Sequence, residues 1–333
     1  MITLQDIREA QQRLQGVTRH TPLLPYADAV TTSVGDQVWL KPEQFQPIGS
    51  FKLRGAYNRI AAIPESVRQH GVIAYSSGNH AQGVAYSAKV LGIPATIIMP
   101  TNAPTVKIEA TRSYGANVVL YDPMMQKREE VAQKLMHGQQ WTLVPPFNDS
   151  YVIAGQGTIG IEIFDDLADV DAVLTPVGGG GLIGGTATAL KSLKPSIRVI
   201  GVEPALAADA QASLRSGHIV EISAADTGRT IADGVRTLAL GELTFDQMRQ
   251  YVDDIITVSE EEIRSATRQL ILQARLLTEP TGALAMAGYL YHREELGLPA
   301  GARLVLVLSG GNIDPTLLTD LLIASDDSVE IVR

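Results

Sequence analysis

Short apolar runs alternate with amphipathic stretches along nearly the whole chain. The runs Val72–Tyr75, Ala95–Met99, Asn117–Tyr121, Ala172–Val177, Arg198–Val202 and Arg303–Leu308 have the length and composition of strands. Between them, Ala81–Leu91, Val106–Tyr114, Arg128–Met136, Tyr151–Leu167 and Leu182–Leu193 read as helices. Ser259-Glu-Glu-Glu262 predicts a further helix start, in which the serine hydroxyl and the Glu262 carboxylate cap one another's backbone. Alternation at this pitch predicts parallel sheets covered on both faces. The rhythm breaks at Val144-Pro-Pro-Phe-Asn-Asp149, which reads as a crossover. The expected architecture is α/β, with two open, twisted, mostly parallel sheets and flanking helices. Residues 61–149 form a small mobile lobe, residues 1–60 with 150–333 a large one, and a ligand cleft lies between them.

Composition narrows the class. The chain has 333 residues, 45% hydrophobic and 19% charged, enough to bury substantial cores. A formal charge of −9 argues against a nucleic-acid partner, whose phosphates need a basic surface. No apolar run has the length of a membrane span, and Met1–Arg13 is too polar for a signal peptide. With no cysteine, disulfide and thiolate chemistry drop out. A cytoplasmic, acidic, soluble protein fits this balance.

Several small-residue loops then carry the candidate chemistry. Gly178-Gly-Gly-Gly181 follows one predicted strand and opens a helix, so its amides and the helix dipole suit a phosphate; a tight turn is the plainer alternative. Ser76-Ser-Gly-Asn-His80 repeats that strand–loop–helix geometry, either to hold a carboxylate or to cap the helix. Ser309-Gly-Gly-Asn312 is a third loop at a strand's C-terminal end. By contrast, Gly155-Gln-Gly-Thr-Ile-Gly160 matches a dinucleotide fingerprint but lies inside a predicted helix, where small residues serve close packing. Lys52, in Gly49-Ser-Phe-Lys-Leu-Arg-Gly55, is set among small and apolar residues, an unusual place for a lysine unless it is simply exposed at a helix start.

These four motifs, in this order and over residues 5–320, resemble the fold-type II pyridoxal 5′-phosphate enzymes, which share a tryptophan synthase β-like fold. Within that family the resemblance is to serine/threonine dehydratases and serine racemases. It implies that Lys52 holds the cofactor aldehyde as a Schiff base, which needs a neutral amine and hence a lowered pKa. It further implies Phe51 beside the ring, Asn79 on the phenolic oxygen, Gly178, Gly179, Gly180 and Gly181 around the phosphate, and Ser309 facing the ring nitrogen. Gly234 would line the ring and Glu279 would approach its side. Ser76, Ser77, Gly78, Asn79 and His80 would receive the substrate carboxylate, with His80 a helix-start residue rather than a base.

The implied reaction is β-elimination from L-threonine or L-serine to a 2-oxo acid and ammonia. Serine racemisation with side dehydratase activity and 3-hydroxyaspartate ammonia-lyase activity remain alternatives. Ser77 bears on that choice, because racemisation needs a second acid/base opposite the lysine, whereas a carboxylate-binding serine does not. Glu203-Pro-Ala-Leu-Ala-Ala-Asp209 resembles the racemase cation site, in which Glu203, the Ala207 carbonyl and Asp209 take Mg2+, Mn2+ or Ca2+. Two acids complementing a helix N-terminus read equally from the residues alone. The resemblance also implies a homodimer, and a chain ending soon after the Ser309 loop implies no C-terminal amino-acid-sensing domain. β-Replacement and a silent ligand sensor on the same scaffold are the remaining options.

Overall fold

A computed structural model of the chain describes residues 1–76, 78–103 and 105–323; Ser77 therefore lies outside the described residues. Its ten strands form two sheets. The larger contains β1 (Leu24–Tyr26), β2 (Gln37–Pro42), β7 (Ala172–Pro176), β8 (Arg198–Pro204), β9 (Asp254–Val258) and β10 (Arg303–Leu308), in the order β1-β2-β10-β7-β8-β9. Only the β1–β2 pair is antiparallel. The smaller contains β3 (Val72–Tyr75), β4 (Ala95–Pro100), β5 (Asn117–Tyr121) and β6 (Thr142–Leu143), all parallel in the order β5-β4-β3-β6.

The continuous apolar run of β10 follows from burial on both faces. Leu304, Leu306 and Leu308 enter one core with Leu40, Leu174 and Met286, while Val305 and Val307 enter another with Val173, Val199 and Leu190. The small sheet has its own core around Val72, Ala74, Ile97 and Met99. Ala56 and Ile60, from the helix Lys52–Ala61, complete that core. The other side of the same helix meets the helix Ser150–Asp166, where the Gly55 N–H donates to Gln156 Oε1 (3.1 Å) and Asn58 Nδ2 to the Tyr151 carbonyl (2.7 Å). The helix bearing Lys52 is thus wedged between the packing units of both sheets.

The glycines of residues 155–160 lie inside the Ser150–Asp166 helix and serve its packing. A Cβ on Gly155 would fall 2.6 Å from the Arg54 carbonyl oxygen, and one on Gly160 would fall 2.7 Å from that of Thr186. Asp149 caps this helix, accepting from the Tyr151 (2.9 Å) and Val152 (3.0 Å) amides, so the crossover ends where its acidic residue is needed. Ser259 and Glu262 form the expected reciprocal cap at the helix Glu260–Leu272. Among the described residues no helix is long and apolar enough to cross a membrane.

Candidate active site

Lys52 begins its helix directly after Phe51. The preceding turn needs Gly49, whose φ of +74° is left-handed and whose Cβ would meet the Asn312 side chain. This turn pairs with the loop after β10: Ser50 bridges Gly310, the Phe51 N–H donates to the Ser309 carbonyl (3.1 Å), and the Gly311 N–H donates to that of Gly49 (2.9 Å). Backbone pairing thereby joins the turn before the lysine to the loop of the buried Ser309. The amine donates to the Pro146 carbonyl (2.8 Å) and lies 5.2 Å from the Phe51 ring centroid. Burial lowers it from the ordinary 10.5 to about 8, so a useful fraction is neutral near physiological pH.

Asn79 opens the helix Asn79–Leu91 after β3 and joins the two halves of the site. Asn312 Nδ2 donates to the Ile48 carbonyl (2.8 Å) and to Asn79 Oδ1 (2.7 Å). That orientation turns Asn79 Nδ2 toward Glu279 Oε1, 2.7 Å away, and leaves its second hydrogen for another acceptor. Burial, reinforced by nearby Asp233, raises the Glu279 carboxyl to about 7. Glu279 therefore meets Asn79 rather than open solvent. The Gly234 N–H donates to Thr281 Oγ1 (2.9 Å), and a Cβ there would press on the Thr281 side chain, so packing already accounts for that glycine.

Across the cleft, Gly178–Gly180 turn from β7 into the helix Gly181–Leu193. Gly180 is left-handed at φ +85°. A Cβ on Gly178 would lie 3.1 Å from Val235 Cα, one on Gly180 would lie 2.6 Å from Met248 Sδ, and one on Gly179 would enter the Phe147 ring. Side chains are thus excluded along the turn, while the first amides of the helix lack intrahelical acceptors. This cradle and the free N–H groups fit a phosphate.

The remaining expected residues are placed as follows. Ser76 follows β3, and its Oγ accepts from the Gly78 N–H (3.3 Å). His80 is buried, with Nε2 2.9 Å from the Val144 carbonyl. Glu203 and Asp209 are fully buried beside Ala207, away from the lysine in sequence, at and just after the C-terminal end of β8. Glu203 accepts from the Ala210 (3.1 Å) and Gln211 (2.9 Å) amides, and neither Asp209 oxygen has a hydrogen-bond partner among the described residues. Burial raises both carboxyls, Asp209 to about 7. Among the described residues no group of three or more His, Cys, Asp or Glu is arranged to hold a metal.

Sequence reasoning missed the Pro146 carbonyl, which leaves no side-chain signal, and the role of Arg54. The Arg54 guanidinium is fully buried and binds both Glu43 and Glu162, while buried Lys41 binds Glu162 (2.7 Å). Burial opposes the Arg54 charge, but the two carboxylates outweigh it and raise its pKa. A charged residue between Leu53 and Gly55 was the available clue. Lys107, on the helix Thr105–Ser113 beside the small sheet, also pairs with Asp233 of the large-sheet side.

A two-sheet α/β scaffold that combines a desolvated lysine, a glycine phosphate cradle and a paired serine loop defines a class of cofactor-dependent enzymes. Residues 14–310 match the family model described as pyridoxal-phosphate dependent enzyme, and the chain belongs to that family. It is 44% identical over 318 residues to an L-threonine ammonia-lyase of Thermotoga maritima, covering 96% of this chain and 77% of the relative. It is 41% identical over 329 residues to an L-threo-3-hydroxyaspartate ammonia-lyase of Saccharomyces cerevisiae, covering 99% of each. The structure of maize serine racemase superposes with a TM-score of 0.89 at 36% identity, covering 96% of each chain.

Proposed function

We propose that this protein is a pyridoxal-phosphate-dependent ammonia-lyase that removes the β-hydroxyl of 3-hydroxy amino acids, L-threonine or L-serine, to yield a 2-oxo acid and ammonia. The observation that carries the reading is the desolvated Lys52 amine at the end of a turn, residues 49–51, that pairs with the Ser309 loop, residues 309–311. Pyridoxal phosphate, when bound, supplies an electron-withdrawing ring that takes up the charge left at Cα. Gly178–Gly181 would hold its phosphate, Phe51 would lie beside the ring, and the unused Asn79 hydrogen would reach the phenolic oxygen. Ser309 would offer the ring nitrogen a neutral hydroxyl, which does not force its protonation and so suits loss of a β-hydroxyl.

The neutral Lys52 amine takes the Cα proton of the substrate. Ser76–Asn79 offers hydroxyl and amide groups to the substrate carboxylate, while the His80 side chain is turned to the Val144 carbonyl. Glu279 keeps Asn79 oriented, and closure of residues 61–149 over the large lobe, with Lys107 on Asp233, excludes water. A homodimer, a cytoplasmic location and the absence of a nucleic-acid partner belong to the same proposal.

Racemisation is the second reading, favoured by the structural match to maize serine racemase and by Ser77 in the sequence. Product analysis separates the two. With L-threonine, L-serine and L-threo-3-hydroxyaspartate supplied in turn, 2-oxo acid is expected to accumulate faster than the opposite enantiomer. Enantiomer as the main product, abolished by Ser77→Ala, would instead establish the racemase. No 2-oxo acid and no enantiomer from any of them would overturn both.

Glu203, the Ala207 carbonyl and Asp209 form the proposed divalent-cation site, since a buried carboxylate with two unpartnered oxygens fits a cation of the magnesium or calcium kind. Its role is to stabilise the large lobe, not to act on substrate. Millimolar Mg2+ or Ca2+ is expected to raise the melting temperature of chelator-treated protein by several degrees, in line with ligand linkage. In Asp209→Ala the shift is expected to vanish; an equal shift in that variant would remove the site.

A further inference from the structure

The crossover Val144–Phe147 sits between two groups of the site, yet nothing in the reaction above uses it. Val144 is fully buried and held at both ends of its peptide: its N–H donates to the Ile73 carbonyl (2.9 Å), extending the β6–β3 pairing, and its carbonyl meets His80 Nε2 (2.9 Å). Two prolines follow, each with φ locked by its ring, so the chain from Val144 to the Pro146 carbonyl is stiff. That carbonyl accepts the Lys52 amine at 2.8 Å. Beyond it, Phe147 packs against Gly179 and Gly181 of the phosphate cradle.

We propose that His80 is a positioning residue: by donating its Nε2 hydrogen to the Val144 carbonyl, it fixes the Val144–Pro146 segment so that the Pro146 carbonyl receives the Lys52 amine whenever that amine is free. The lysine must leave the cofactor during turnover, and a free amine in a desolvated cleft needs a partner to avoid an unpaired polar group. Pro146 supplies that partner. A carbonyl acceptor requires the hydrogen on Nε2, and the buried ring, pushed down to about 3, stays neutral. His80 therefore holds the segment and moves no proton. The groups facing it are Lys52, the Val144 carbonyl and the helix it belongs to; its Nδ1 has no partner among the described residues.

The inference rests on Lys52 being the cofactor lysine, and the test separates the two claims. Gln carries an N–H donor where His carries Nε2, whereas the Asn donor falls at the Nδ1 position. His80→Gln is expected to keep kcat within about threefold of the parent, and His80→Asn to lower it about 10- to 100-fold with KM within about twofold, as for a misplaced catalytic group. Independently of turnover, the Lys52 Cε resonance of the ligand-free full chain reports the amine's titration midpoint. That midpoint is expected to stay with the parent in His80→Gln and to move in His80→Asn. A raised KM in both variants would make His80 a substrate ligand, and parental behaviour in His80→Asn would make the contact incidental; either overturns the proposal. Should His80→Asn not fold, His80→Gln decides alone, because an imidazole-specific role would be lost in it and the donor role retained. A midpoint that follows these expectations in a protein without lyase activity would leave the positioning intact and sink the functional reading instead.

Discussion

Lys52→Ala protein is expected to lose turnover of 3-hydroxy amino acids by roughly 10⁴-fold or more, beyond what loss of a general base alone gives, because attachment and proton transfer fail together. Among the described residues, the titratable groups His80, Glu279 and Lys107 offer no substitute. His80 is neutral and donates to Val144, Glu279 is committed to Asn79, and Lys107 is paired with Asp233. The fold should survive, since the Lys52 side chain makes one hydrogen bond, to Pro146, and its removal relieves a desolvated amine. The expected protein is therefore folded, colourless when mixed with cofactor and inactive. In the parent, the rate at which cofactor attaches to the ligand-free chain is expected to rise about tenfold per pH unit and to level off above about pH 8, as the amine becomes neutral. Elimination retained at more than about a hundredth of the parental rate in Lys52→Ala would contradict the assignment.

Arg54→Met is expected to destabilise the chain by about 3–5 kcal/mol, the cost of breaking a buried ion network by removing one member. Arg54 Nε donates to Glu43 Oε2 (2.8 Å) and Nη1 to Glu162 Oε1 (2.6 Å), while Nη2 reaches the other oxygen of each carboxylate at 2.8 and 2.9 Å. Without the guanidinium, Glu162 keeps Lys41 (2.7 Å), but buried Glu43 loses its cation and keeps the neutral donors Thr21 Oγ1 (2.8 Å) and Gln46 Nε2 (3.3 Å). The network also ties the catalytic helix to β2 and to the Ser150–Asp166 helix, two residues from Lys52, so the surviving folded fraction should turn over more slowly. Urea unfolding of the cofactor-free chains measures the first effect. A loss below about 1 kcal/mol, the range of an exposed ion pair, would show that the network contributes no more than surface charges do.

The contrast between Lys52 and Arg54 shows what the sequence could and could not reveal. Strands buried on both faces announce themselves as apolar runs, and β3, β4, β7, β8 and β10 stand within two residues of where those runs lie, as does the partly exposed edge strand β5. β2 escaped notice because Lys41 interrupts its pattern, and only the distant Glu162 makes that lysine a buried residue. β1 and β6 are too short to have a period, and β9 was passed over beside the capping signal of the next helix. The glycine cradle, the Ser76 and Ser309 loops and Lys52 were legible because their chemistry depends on small residues at strand ends. The Pro146 contact was not, since a backbone carbonyl looks alike at every position. Nor was the orientation of Asn79, which depends on Ile48 fixing Asn312, a relation between segments far apart in the chain.

Reduction of the pyridoxal-phosphate-loaded protein with borohydride, followed by peptide mapping, tests the lysine assignment most directly. A pyridoxyl group on the peptide containing Lys52, and on no other, is the expected result. Labelling at another lysine, or a protein that takes up no cofactor, would contradict it.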